Sequence, residues 1–186
     1  MANSALLVMD VQRSIVDIAE ADAAYLARLA RAADAARAAG IPVIYVVIAL
    51  RPGAPEVGTR NKVLNALVRD GLFTEGDPGT EIHPDVAPRP GDTVVTKRRA
   101  SAFSGSDLDL VLRARDIDSL VLTGIATGAV VLTTLYQAAD LDFGLTVLAD
   151  GCLDPDPDVH RFLLEKLFPR QADVTTVDDW CRAIAR

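Results

Sequence analysis

Ala5-Leu6-Leu7-Val8-Met9-Asp10 is an unbroken apolar run closed by a carboxylate. Apolar residues that do not alternate with polar ones describe a strand covered on both faces, which is the habit of parallel sheets. The same signature returns along the chain. Val43 to Leu50, opened by Pro42, is a second such strand, Thr93 to Lys97 a third, Ser119 to Ile125 a fourth, Leu145 to Asp150 a fifth and Asp173 to Val177 a sixth. Helical patterns separate them. One starts with Asp22 as candidate N-cap, sets Leu26, Leu29, Ala33 and Ala36 on one face and stops at Gly40. Another, from about Ser106, puts Leu108, Val111 and Leu112 on one stripe; a third runs through Asp140. Asp156-Pro157 reads as an N-cap followed by proline at the first helical position, with Val159, Phe162, Leu163 and Leu167 facing inward and Pro169 as the stop; a terminal helix surrounds Trp180. Strands joined by helical crossovers predict an α/β fold: a three-layer sandwich with a six-stranded parallel sheet and helices on both faces, Rossmann-like, in a single domain over 1–186.

One stretch breaks the rhythm. Residues 51–91 hold Pro52, Pro55, Pro78, Pro84, Pro88 and Pro90 and only one short helix, near Asn61 to Arg69. A long irregular segment in a compact domain is either a lid or binding loop, or a surface excursion or subunit contact, and the pattern leaves both open.

Composition narrows the function. The 186 residues suffice for a core without disulfide or metal staples. Aromatics are only 5% of a chain that is 50% apolar, so Ala, Val, Leu and Ile must build that core. A net charge of −7 argues against nucleic acid or an anionic membrane as partner. The longest apolar run, Val43 to Leu50, falls far short of the roughly 20 residues that span a bilayer. The N-terminal stretch MANSALLVMD lacks a basic region and a cleavage pattern. Cys152 and Cys181 form no CxxC pair, which suits a reducing cytoplasm, and neither that motif nor a G-x-G-x-x-G is present to support a redox reading.

Ligands of open parallel sheets bind beyond the carboxyl ends of the strands. That rule selects Asp10, Lys97, the turn Gly124-Ile125-Ala126-Thr127-Gly128-Ala129-Val130, Asp150 and Cys152. Asp10 and Lys97 are expected to meet over the sheet edge, where each favours the other's ionised form and the pair can hold a proton donor or acceptor beside a substrate. Taken singly, Asp10 reads as a helix cap or loop anchor, and Lys97, Arg98 and Arg99 as solvated strand-end cations. Cys152 reads as a buried apolar thiol, with a displaced nucleophile as the alternative, and Cys181 as structural.

Four pieces, taken together and in order, resemble the isochorismatase-like hydrolases, also called the cysteine hydrolase family. They are Leu6-Leu7-Val8-Met9-Asp10-Val11-Gln12, Val95-Thr96-Lys97-Arg98-Arg99-Ala100-Ser101-Ala102-Phe103, Leu122-Thr123-Gly124-Ile125-Ala126-Thr127 and Thr146-Val147-Leu148-Ala149-Asp150. The resemblance covers nearly the whole chain. It implies Asp10 and Lys97 as catalytic aspartate and lysine, and it places the family's nucleophilic cysteine at Val130, where this chain has a hydrocarbon. A helix-terminal thiolate could attack an amide or nitrile; valine cannot. Family members without the cysteine hydrolyse the vinyl ether of isochorismate, the aspartate protonating the enol-ether carbon. They carry glycine where Val130 stands, so isochorismate itself fits poorly.

The resemblance further implies a cis peptide at Ile125–Ala126, with the N–H groups of Ala126 and Val130 as an oxyanion hole and Gln12, Phe103 and Thr127 against the substrate. Phe103 is equally read as core. The metal-binding Asp-x-His pair of the related nicotinamidases is missing, and His83 and His160 read as surface residues, so no metal and no cofactor is expected. The expected partner is a small molecule, carboxylated if Lys97, Arg98 and Arg99 act together. Relatives imply a homodimer or homotetramer. Three functions stand open: a hydrolase using Asp10 and Lys97 without a thiol, a ligand-binding or regulatory relative without turnover, and a hydrolase using Cys152.

Overall fold

β1 (Ser4–Met9) lies inside the sheet of the computed structural model, which describes residues 3–185; Met1, Ala2 and Arg186, part of the expected 1–186 unit and of the N-terminal stretch, lie outside them. The other strands are β2 (Val43–Ile48), β3 (Thr93–Lys97), β4 (Ser119–Ile125), β5 (Gly144–Leu153) and β6 (Asp173–Thr175). Their order is β3-β2-β1-β4-β5-β6 and every pairing is parallel. The six-stranded parallel sheet with helices on both sides is therefore as the apolar runs require.

Both faces of β1 are buried, each in its own core. Ala5, Leu7 and Met9 pack with Ile44, Val46, Val95, Leu122, Leu135 and Ala138. Leu6 and Val8 pack with Tyr45, Val121, Leu29 and Trp180 on the other side. The first face carries helices α4 (Leu108–Ala114) and α5 (Leu132–Asp140); the second carries α2 (Ala23–Ala38) and α7 (Val177–Ile184). Two covered faces explain why the strands do not alternate. Fully buried Ala32 and Ala36 leave little side chain between α2 and the sheet. Asp22 caps α2 by accepting the Tyr25 N–H at 2.7 Å, and Asp156 caps α6 (Pro157–Phe162) in the same way.

Several boundaries differ from the sequence expectation. β2 stops at Ile48 because Leu50 leaves the sheet to bridge Thr74. β6 stops at Thr175 because the next residue, Thr176, turns its hydroxyl to the Asp179 N–H and caps α7. β5 continues past Asp150 to Leu153 after a register shift opposite Leu122 and Gly124. A short helix, α1 (Arg13–Ile18), follows β1 where none was expected. The segment 51–91 contains α3 (Lys62–Arg69), capped by Asn61, and two 3-10 turns. It folds back on the end of β2, burying Leu64 and Phe73 against Ile48 and Leu50.

The chain winds from β1 to β2 and β3 on one side, then crosses to β4, β5 and β6 on the other. The two directions diverge between β1 and β4, and a crevice opens above their carboxyl ends. Gly124 makes that crevice possible. Its φ is +139°, and a Cβ there would lie 2.1 Å from the Met9 carbonyl oxygen, so only glycine lets β4 pass this close to β1.

Candidate active site

Asp10 is the first residue beyond β1 and turns away from the strand at φ +56°, a left-handed conformation that aspartate tolerates. Its N–H still pairs with the Val46 carbonyl at 2.8 Å, which fixes the carboxylate over the sheet end. From the edge strand, Lys97 reaches across β2 and places Nζ 2.9 Å from Asp10 Oδ2. Nζ also donates to the Arg99 carbonyl at 2.8 Å. Lys97 is 1% exposed and Asp10 is 5% exposed, so this ion pair is shielded from solvent. Asp10 Oδ1, equally buried, accepts a hydrogen bond from no described residue. Burial pushes the Asp10 carboxyl up from 3.8 to about 6, outweighing the charge and hydrogen bond of Lys97, which pull it down.

Beside the pair lies the turn after β4. The Ile125–Ala126 peptide is cis, and Thr127–Val131 forms a wide opening turn that leads into α5. The Ala126 N–H donates to no group among the described residues, while the Gly128 N–H is held by Asp154 Oδ2 at 2.6 Å. Asp10, Lys97, Ile125, Ala126 and Val130 line one side of a cavity of about 440 Å³. The opposite side is mostly apolar: Ile15, Ile18 and Ala19 in and after α1, Val63, Leu64 and Leu67 of α3, and Phe73, with Asn61, the cap of α3, as a polar member. The segment 51–91 thus walls the site, and α1, which sequence reading missed, contributes two of its isoleucines.

Other candidates are drawn elsewhere. Gln12 is fully buried, yet its amide joins the Ile48 N–H, the Ile48 carbonyl and the Thr80 carbonyl at 2.8–2.9 Å. It staples the exits of β1 and β2 to the long segment instead of meeting a ligand. Phe103 packs against Phe143, with ring centroids 6.0 Å apart, and takes its core role. Thr127 is buried beneath the turn, its hydroxyl 2.8 Å from His160 Nδ1. None of these three expected substrate contacts is among the residues that line the cavity: Gln12 and Thr127 are hydrogen-bonded to distant segments, and Phe103 packs against the core. His160 and His83 are half-buried instead of surface residues; burial lowers the His160 pKa.

Thr133 also lines the cavity, with its hydroxyl donating to the Ala129 carbonyl at 2.7 Å. Asp150 accepts the Val177 N–H at 2.7 Å and so positions α7. Cys152 lies in the core beneath the sheet end, its sulfur 3.9 Å from the Leu122 carbonyl, and burial pushes its thiol up to about 12. Buried and outside the cavity lining, it fits the apolar-thiol reading and lacks the exposure of a reactive thiolate. Arg98 and Arg99 face a separate, more open cleft at the β3 edge together with Arg51 and Glu56. Arg98 is bound by the Ala49 carbonyl and Glu75, and Arg99 by the carbonyls of Arg98 and Glu56. The cationic trio expected around one carboxylated ligand is thus divided between two places. Among the described residues no three His, Cys, Asp or Glu side chains stand close enough to hold a metal ion.

Known proteins resemble this chain in sequence and fold. The Isochorismatase domain matches residues 4–179. The ureidoacrylate amidohydrolase RutB of Pseudomonas syringae pv. syringae is 34% identical over 96% of this chain and 82% of its own. A cysteine hydrolase from Pseudomonas syringae pv. phaseolicola superposes with a TM-score of 0.89 at 28% identity, over 98% of this chain and 92% of that one. The N-carbamoylsarcosine amidase of Thermoplasma acidophilum superposes at 0.76 with 25% identity, over 96% and 98% of the two chains. Fold and sequence agree across nearly the full length, and the chain belongs to the isochorismatase-like hydrolase family.

Proposed function

We propose that this hydrolase cleaves a small molecule by water addition, with Asp10 as the proton carrier and Lys97 as its electrostatic partner. The observation that carries the proposal is the buried ion pair with one carboxylate oxygen left over, set in the cavity beside a residue that has no lone pair. Val130 excludes the covalent route by which a thiol would attack an amide. Water therefore has to be the nucleophile, and the substrate has to be one that protonation makes electrophilic.

A vinyl ether meets that need. The Asp10 carboxyl gives its proton to the terminal enol carbon, leaving an oxocarbenium ion. Water adds to that carbon–oxygen centre and returns a proton to the Asp10 carboxylate. The hemiketal then collapses to a carbonyl compound and an alcohol. Lys97 stays charged throughout, holding Oδ2 so that Oδ1 faces the reacting atoms. The free Ala126 N–H is available to orient a substrate oxygen. The amide substrates in the names of relatives are not carried over, because the position from which the family's thiol would attack them is Val130 here.

A second reading is favoured by Val130 alone: a relative that binds a small ligand and does not turn it over. The pH profile on a panel of enol ethers, esters and amides separates the two. With the protonated acid as the working form, kcat/KM is flat below about pH 6 and falls about tenfold per pH unit above it, following the raised Asp10 carboxyl. A rate that rises through pH 6 instead assigns Asp10 a base role and contradicts the proposal. A panel with no turnover supports the binding relative.

A further inference from the structure

The cavity's electrostatics are one-sided. Among the described residues that line it, Lys97 is the only cation, and its ammonium is already held by Asp10 Oδ2 and the Arg99 carbonyl. The neighbouring guanidinium groups of Arg98 and Arg99 are bound by glutamates and backbone carbonyls away from the cavity. A ligand carboxylate entering here would surrender its water to hydrocarbon and meet the Asp10 charge with no free cation to replace the loss.

The apolar wall, by contrast, is built for a hydrophobic body. α3 is amphipathic: Val63, Leu64 and Leu67 face the cavity. Val63 and Ile18 remain 70% and 57% exposed at its rim, although each would gain by being covered. Phe73, a bulky residue at φ +67°, sits in a backbone region such side chains avoid, and there its ring joins the lining.

We infer that the site selects uncharged small molecules with a short alkyl or small-ring body, their one polar group at the Asp10–Lys97 end, and discriminates against carboxylates. This deepens the hydrolase reading of the same cavity and rests on that cavity being the substrate site, but not on turnover. Matched probes test it: hexanamide and hexanoate share a chain length and differ in charge. Binding to the intact protein at pH 7.5, followed by calorimetry or ligand-observed NMR, is expected to favour hexanamide by at least about tenfold.

Two variants locate the effect. Leu67→Lys sets a free cation in the wall and narrows the gap by strengthening hexanoate. Asp10→Asn frees Lys97 from its anion and does the same from the other side. Hexanoate binding as tightly as hexanamide overturns the inference, as does binding of neither probe, or a preference that Leu67→Lys leaves unchanged. None of these readouts requires catalysis. A chain that binds as expected and turns nothing over contradicts the hydrolytic mechanism alone; a chain that turns over an anionic substrate contradicts this inference alone.

Discussion

Asp10→Asn is expected to lower kcat/KM by about 10³-fold on any panel substrate the parent turns over, with the fold intact. The size follows from general acid catalysis, which contributes about 10²–10⁴-fold when the proton is delivered by a positioned group. The substitution is a clean one for two reasons. Asparagine accepts the left-handed backbone at φ +56° as aspartate does, so the exit of β1 keeps its course. Its amide also retains an oxygen for Lys97, which stands 2.9 Å from Oδ2 in the parent. What is lost is the acidic proton. Circular dichroism with thermal unfolding checks the fold, and initial rates check the chemistry. A variant that keeps its structure and loses less than tenfold would show that the proton comes from elsewhere.

Lys97→Met carries the second large effect, and it falls on stability as well as rate. Methionine fills much of the lysine's volume, but it leaves the Asp10 carboxylate buried without its counter-ion. Removing one partner of a buried pair costs about 3–5 kcal/mol. The pH dependence gives the effect its signature. In the parent, burial holds Asp10 near 6 against 3.8 as its ordinary value, so the folded state binds the proton more tightly than the unfolded chain. That group's contribution is therefore most favourable below pH 3.8 and declines as pH rises toward 6.

Without Lys97 the carboxyl rises further, and the decline continues to higher pH. The destabilisation should then be about 1 kcal/mol or less at pH 5, where Asp10 can be folded neutral, and approach the full value at pH 8. Denaturant titrations at the two pH values measure it. The double variant Asp10→Asn/Lys97→Met should recover most of the loss, since neither charge is then stranded. A destabilisation of equal size at pH 5 and pH 8 would mean that packing, not the ion pair, makes Lys97 matter.

The parts of this molecule written locally were legible in its sequence. β3 and β4 begin and end where their apolar runs do, Asp22 and Asp156 cap the helices they precede, and Gly40 ends α2. The meeting of Asp10 and Lys97 was also legible, because parallel strands bring their carboxyl ends to one edge. What was not legible concerns side chains whose partner sits in a distant segment. Nothing near Gln12 announces that Thr80 will claim its amide, nothing near Arg98 announces Glu75, and nothing near Thr127 announces His160. α1 escaped notice because six residues are too few to display a helical period. The helix near Asn61 to Arg69 was legible, but nothing in Lys62-Val63-Leu64 announces that its apolar side will line the cavity.

The most direct test of water-driven hydrolysis by Asp10 and Lys97 is the turnover of a sulfhydryl-free chain, Cys152→Ser/Cys181→Ser. Both cysteines are unpaired, and one lies in the core, so the comparison is made at a temperature where the variant is shown to be folded. The account predicts kcat/KM within about twofold of the parent and no covalent adduct in the intact mass during turnover. A folded variant that has lost its activity, or a parent chain trapped as a covalent intermediate, would contradict it.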